Sequence, residues 1–369
     1  MQKRFALPGW LLPAGAVLLI AALILGAFLG IRAFRQRNDM RVGQTISISG
    51  QAQATPFGGD FLYDANMTLY CVSTAGETRW IIPLERDGAP YDVMGNYLCV
   101  AESDALRTYQ RKDDGSMALF YTKSLQGLVM DAVVCGKSHV ALLTEKRDTV
   151  YVLDEAGSQV DTISLSGQKV IDLGFYGQQD LLWVVSLDTQ GGAPLTNVRI
   201  YEPGRATIAM QSFSDELVST LVIDSASRTA LTMGTQYISA IDISLTGTGT
   251  GTGAATSIYG YQYVCDNAAA SCTVVLAPAA QLMRRSVIDL ALYKGGKLTS
   301  ISLPTECQAF AATEKFLYAA NTSTVYRLDY TGQVLEQIDM AGLYDRVARV
   351  GGKHLFFYSG DSATIVTIK

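Results

Sequence analysis

Three aspartates, Asp92, Asp131 and Asp172, each stand between apolar residues, in "YDV", "MDA" and "IDL", at intervals of 39 and 41 residues. Carboxylates recurring at one interval in apolar surroundings suit a site for a hard cation, which takes oxygen ligands, or for a basic peptide. Gln308 and Arg346 fall near the equivalent places later in the chain. A purely structural role competes with this one, in which each Asp accepts hydrogen bonds from nearby backbone amides and holds neighbouring units together. His139 and His354, the only histidines, occur in matching contexts, "CGKSHVALL" and "GGKHLFFY". A metal site or a nucleophile–base pair would need them side by side, whereas recurrence in matching places marks them as turn residues. The six cysteines, Cys71, Cys99, Cys135, Cys265, Cys272 and Cys307, show no CxxC or Cys/His ligand spacing, so no zinc site is expected. Most sit in strand-like runs as small apolar residues. Cys265 and Cys272 flank the turn "DNAAAS", where opposed residues of a hairpin come within disulfide reach, and they are either bonded or reduced thiols. No catalytic residue, metal or cofactor is expected.

The elements that must position these residues are strands. Short apolar runs are broken by Gly, Asp, Asn and Ser, and "HVALLTE", "TVYVLDEAG" and "TVYRLDYTG" alternate with period two. No amphipathic helix is apparent after residue 45. One unit recurs: Thr149–Gly157, "TVYVLDEAG", and Thr324–Gly332, "TVYRLDYTG", are nearly the same. Weaker copies end at Gly76, Gly115, Gly204, Gly247 and Gly296, each a strand, a glycine turn and a second strand. Glycine suits such turns because they require positive φ. Successive turn glycines lie 36 to 49 residues apart, and intervals near forty with about four strands each are what propeller blades show. Seven turns predict seven blades. The C-terminal strands "VARV", "KHLFFYS" and "ATIVTIK" lack an outer partner, and "QTISIS" at Gln44–Ser49 has no blade of its own. Joining them closes the ring with eight blades, and seven is the runner-up. The low-complexity stretch Gly247–Thr256, "GTGTGTGAAT", is read as a loop inserted in blade five. It would cradle a phosphate only if it opened a helix, and nothing helical follows.

The blade pattern, with its "VYVLDEAG" and "VYRLDYTG" turns, resembles the PQQ-like, quinoprotein-type eight-bladed propellers over about residues 45–369. That resemblance implies an all-β ring and, among its members, membrane-attached scaffolds of bacterial envelope assembly machines. The quinoprotein dehydrogenases add a tryptophan docking motif in each blade and a calcium-bound quinone. This chain has only Trp10, Trp80 and Trp183, so the motif is missing. The layout is also similar to an uncharacterised family of membrane-anchored propellers in Gram-positive bacteria.

The anchor in that layout is the apolar run Trp10–Ile31, which carries no charge. At 1.5 Å per residue it spans roughly 33 Å, enough for a hydrocarbon core of about 30 Å. It is too long for a signal peptide, and Arg32, Arg35, Arg37 and Arg41 follow it. The expected organisation is a tail (1–9), a transmembrane helix (10–31), a basic linker (32–43) and a propeller (44–369). Four arginines after the helix against Lys3 and Arg4 before it would, read literally, place the propeller in the cytoplasm. Long domains translocate largely regardless of charge, and an anchored propeller works at a surface, so the extracytoplasmic side is expected. The formal charge of −5 and the lack of a clustered basic surface argue against nucleic acid. The expected function is a non-enzymatic, membrane-anchored scaffold for an envelope protein or peptide. The alternatives are a cofactor- or calcium-dependent enzyme, or a ligand-sensing ectodomain, using the channel mouth.

Overall fold

The computed structural model describes residues 39–368 except 49–53, 178–179, 189–191, 206, 215, 244–254, 268–270, 341, 343, 345, 351–352 and 361. The segments 1–9 and 10–31 and most of the linker lie outside the described residues. Among the described residues no helix is long and apolar enough to cross a membrane.

Strand alternation is realised as eight four-stranded antiparallel sheets. Blade one begins at Thr55–Phe57, blade two at Tyr91–Met94, blade three at Met130–Cys135 and blade four at Gln168–Tyr176. Blades five to eight begin at Val218–Asp224, Tyr261–Asp266, Ala309–Ala312 and Arg346–Val350. In each blade the chain meanders outward. First strands of neighbouring blades lie against one another at seven of the eight junctions, including that of blades eight and one, so the first strands form the inner wall of a closed ring. Innermost strands all begin on one face, here the upper face, and end on the lower.

The hydrophobic core is divided among the junctions between blades. One cluster joins Ala141, Leu143 and Val150 of blade three to Leu173, Leu182 and Val184 of blade four. Another joins Phe61 and Tyr63 of blade one to Phe356 and Ile365 of blade eight. Second strands, covered on both sides, read as continuous apolar runs, such as His139–Thr144 with five consecutive buried residues. Outer strands such as Thr78–Pro83 expose most of one face.

Ring closure follows the strand accounting. Arg41–Ser47 is the outer strand of blade eight, paired antiparallel with Ser362–Thr367 from Arg41↔Thr367 to Ser47↔Ser362. It begins three residues ahead of the apolar alternation. The two best-matched turns share one chemistry. Asp154 Oδ1 accepts the amides of Ala156 (2.9 Å) and Ser158 (2.8 Å), and the Gly157 amide donates back to the Asp154 carbonyl at 3.0 Å. Asp329 does the same with Thr331 and Gln333. Gly157 has φ +78°, and a Cβ there would lie 2.7 Å from the Tyr121 ring of blade two. Both its backbone conformation and its neighbour therefore require glycine. The inserted loop around Gly247 lies outside the described residues. Its flanks are Tyr237–Asp242 and a two-residue outer strand, Thr256–Ser257.

Candidate functional site

The three aspartates lie on innermost strands of adjacent blades, but strand register separates them. Asp92 pairs across its blade with Cys99 and Asp172 with Val185, while Asp131 sits at a register shift between Met130 and Ala132. Each carboxylate is engaged. Asp92 Oδ2 accepts the Cys135 amide of blade three at 2.7 Å. Asp131 Oδ2 meets Arg147 Nη1 at 2.5 Å. Arg147 also donates to the carbonyls of Val170 (2.7 Å) and Ile171 (2.8 Å) in blade four. Asp172 accepts its neighbour's amide, Leu173 N, at 3.0 Å and bonds the Thr220 hydroxyl of blade five. Arg147 thus stands between Asp131 and Asp172, and Asp92 is held apart by its own bond. Gln308 precedes the first strand of blade seven, where its amide donates to the Ala320 carbonyl at 2.8 Å. Arg346 opens the first strand of blade eight opposite Tyr358. Among the described residues no group of three His, Cys, Asp or Glu side chains is placed to hold a metal ion.

The electrostatics follow burial and bonding. Burial pushes the Asp92 carboxyl above its ordinary range, against the bonds from Cys135 and Val93 that lower it. Asp172 is likewise raised by burial, opposed by Thr220, the Leu173 amide and Arg147.

A fourth carboxylate, not singled out by spacing, is more fully satisfied. Asp180 is 1% exposed, in the turn after blade four's first strand. It accepts the amides of Lys137 (2.6 Å) and Ser138 (2.5 Å), the Ser138 hydroxyl (2.8 Å) and approaches His139 Nδ1 (3.3 Å). Burial acts to raise this carboxyl, but the four partners outweigh it and hold it below the ordinary value. His139 and His354 open the second strands of blades three and eight, three blades apart around the closed ring. His354 Nδ1 instead lies 3.3 Å from Thr367 Oγ1. The six cysteines are free thiols. Cys99 and Cys135 are hydrogen-bonded across the junction of blades two and three, a pairing that no sequence spacing announced.

These opposite shifts predict opposite responses. Asp92→Asn keeps an acceptor for Cys135 and removes a charge that burial disfavours, so stability at neutral pH should hold or rise. Asp180→Asn leaves donors without a carboxylate and should cost about 1–3 kcal/mol. Because the Asp180 pKa is depressed on folding, its contribution is present above the unfolded carboxylate value and lost as pH falls through the folded one. Urea titrations of both variants from neutral to acid pH check this. A large loss for Asp92→Asn with none for Asp180→Asn would contradict it.

A second feature of the upper face is a groove of mixed lining, in which Ser219, Thr235 and Gln262 stand beside apolar residues. This groove of about 440 Å³ runs between blades five and six, lined by Leu217, Met233, Gly234, Gly260, Tyr261 and Ala279 among others. The five-residue helix Ala279–Met283, here α1, follows the second strand of blade six, and the Ala279 amide donates to the Gly260 carbonyl at 2.8 Å. Gln281 Oε1 of α1 accepts the Ile288 amide at 2.9 Å, which ties α1 to the start of the third strand of blade six, Val287–Lys294.

With that geometry described, the likenesses to known proteins can be placed. BamB from Moraxella catarrhalis superposes over 89% of this chain and 100% of its own, at 11% identity and a TM-score of 0.60. The C-terminal WD40 domain of Sif2 covers 89% of this chain and 98% of its own, at 12% identity and a TM-score of 0.56. Apo AztD from Citrobacter koseri covers 84% and 88%, at 11% identity and a TM-score of 0.50. At such identities the likeness is one of fold. No curated protein matches the sequence. Residues 33–242, more than half of the chain, match a family of unknown function (DUF5711), and the chain belongs to that family.

Proposed function

We propose that the chain is a non-enzymatic scaffold that binds a protein or peptide at the cell envelope. Residues 10–31 would cross the membrane once, with the propeller outside the cytoplasm. The observation that carries this reading is the contrast between the propeller's charged and apolar groups. The carboxylates that could have served a ligand, Asp92, Asp131, Asp172 and Asp180, are turned onto the blades' own amides, hydroxyls and Arg147. Large apolar side chains such as Tyr259 and Met283 meanwhile stand in solvent, and apolar groups held exposed on a rigid scaffold suit a protein partner. The fold it shares with BamB and AztD is compatible with this role, and the quinoprotein side of the sequence resemblance finds no support in the family match.

The point where the chain joins the ring orients the scaffold. Asp39 Oδ2 lies 2.9 Å from Arg327 Nη1, and the Met40 amide donates to Glu336 Oε1 at 3.1 Å. Arg327 is near the end of a third strand, Thr324–Leu328, which runs from the upper to the lower face. A membrane span at residues 10–31 would therefore lead to the lower face, with the upper face pointing away from the membrane.

The test pairs two measurements. Full-length protein extracted from membranes in mild detergent should carry a second polypeptide in fixed stoichiometry. Calorimetric titration of residues 39–369 with quinones and with divalent cations should give no stoichiometric heat. A stoichiometric heat without a co-extracted protein would replace the scaffold with the cofactor- or calcium-dependent alternative.

A further inference from the structure

We propose that Cys99 and Cys135 form an oxidation site, at which hydrogen peroxide converts two facing thiols into a disulfide that staples blade two to blade three. This goes beyond the scaffold reading and stands or falls without it.

Strand register puts the two thiols face to face. Cys99 lies directly opposite Asp92 in blade two and, on its other side, opposite Thr108. Residues directly opposed across antiparallel strands project from the same face of a sheet. That face is turned to blade three, because Asp92 Oδ2 accepts the Cys135 amide at 2.7 Å. Cys135 ends the innermost strand of blade three, Met130–Cys135, opposite Val140. Cys99, Cys135 and Val140 pack in one cluster with Leu106 of blade two and Met130 and Leu142 of blade three. Within it the two thiols hydrogen-bond each other, and the Thr108 hydroxyl lies 3.7 Å from Cys99 Sγ. Cys265 and Cys272, the pair suggested by spacing, are placed otherwise. Cys265 packs against the cluster between blades six and seven, and Cys272 belongs to the one between blades five and six.

The surroundings suit a two-electron oxidation. Cys99 is fully buried and Cys135 half-buried, so the pair meets solvent through Cys135. The hydrogen bond from Cys135, helped by Thr108, holds the Cys99 thiol below its ordinary value against burial, while burial and the Cys99 neighbour push Cys135 up. Cys99 is therefore the thiolate former, and the thiolate is the nucleophile. Its sulfur attacks one peroxide oxygen, an S–O bond forms as O–O breaks, and the departing hydroxide takes the proton that Cys99 released. The Cys135 sulfur then attacks the Cys99 sulfur. The S–S bond forms, the S–O bond breaks, and a second water carries away the Cys135 proton. Two electrons from the two sulfurs reduce one peroxide to two waters. The link joins residues 36 apart and so restricts the unfolded chain, as stabilising disulfides do. Blade three is already tied to blade four through Asp180 and the amides of Lys137 and Ser138, and the new bond would fasten it to blade two.

The experiment uses the full-length protein in mild detergent, first reduced and then exposed to hydrogen peroxide. Remaining thiols are blocked with N-ethylmaleimide on unfolding, and the digest is read by mass spectrometry. The expected product is one intramolecular Cys99–Cys135 link, with Cys71, Cys265, Cys272 and Cys307 alkylated. The oxidised protein should melt several degrees above the reduced one, and a thiol reductant should remove the gain. Cys135→Ser and Cys135→Ala both alter the half-buried position. Each should leave the reduced melt close to that of the parent and abolish the link and the gain, and the same peroxide treatment of these variants controls for methionine oxidation. Both thiols still alkylated after peroxide would overturn the proposal, as would a sulfinic acid on one cysteine without a link, or a link confined to Cys265 and Cys272. A Cys99–Cys135 link that leaves the melt unchanged or lowers it would overturn the staple. The scaffold reading is judged separately, by co-extraction of a partner, whichever result is found.

Discussion

Replacing Arg327 by alanine should cost about 3–5 kcal/mol, because it strands a buried carboxylate and releases the segment that leads into the ring. The Arg327 side chain is 6% exposed and that of Glu336 7%, whereas Asp39 is 31% exposed. The loss is therefore dominated by Glu336. Arg327 Nη2 lies 3.3 Å from Glu336 Oε2, close enough for charge attraction, although that oxygen has no aligned hydrogen bond. The Arg327 guanidinium also lies 4.8 Å from the Phe316 ring centroid, over its face. The internal repeat supplies the control, since blade three has Val152 at the matching position, fully buried and opposite Asp161. Arg327→Val should keep its hairpin and lose the lock on Asp39 and Met40. Pairing it with Glu336→Leu should recover much of the stability, as removing both charges leaves neither one stranded. Equilibrium unfolding gives these differences, and hydrogen exchange at Met40 reports the lock. An Arg327→Ala protein as stable as its parent, with Met40 still protected, would contradict this assignment.

Starting the protein at Ala52 should have the largest effect of all. It removes Arg41–Ser47, and with it about four or five ladder hydrogen bonds at roughly 0.5–1.5 kcal/mol each. It also removes the buried side chains of Met40, Ile46 and Ile48, worth about 1.5–3 kcal/mol each. The Thr45–Thr364 hydroxyl contact at 2.8 Å is lost as well. Such losses are a large share of the roughly 5–15 kcal/mol that holds a domain folded, and Ser362–Thr367 becomes an open edge that invites association. Deleting residues 362–369 should do similar harm by removing the partner of the same strand. The two deletions together should cost less than their sum, because each already breaks the one pairing. A protein starting at Asp39 should unfold cooperatively and stay soluble. If the Ala52 start melts like the Asp39 start, ring closure by this strand is refuted.

Much of this fold was legible because its turns carry local chemistry. The oxygen that accepts the turn's amides, from Asp154, Asp329 or Ser73, and the Gly at positive φ that follows it three residues later serve the same turn, so they repeat in the sequence. The unpaired "QTISIS" and the incomplete last blade implied each other, and Arg41–Ser47 joins Ser362–Thr367. The site was less legible. Regular spacing did gather Asp92, Asp131 and Asp172 onto neighbouring innermost strands. Register shifts at Met130/Ala132 and Val170/Asp172 then send their side chains to different partners, and no spacing reveals a one-residue shift. Asp180 escaped notice because its partners, Lys137 to His139, lie more than forty residues away. Arg327 had a visible signal, as the one charged departure from "TVYVLDEAG", but its meaning depended on Asp39 arriving beside it.

The scaffold itself is tested most directly by the native mass of the full-length protein, extracted from membranes in a mild detergent. The expected species is heavier than the 39.7 kDa chain by one distinct polypeptide in constant ratio. The chain alone, or only multiples of its own mass, at every detergent concentration that keeps the propeller folded would contradict it.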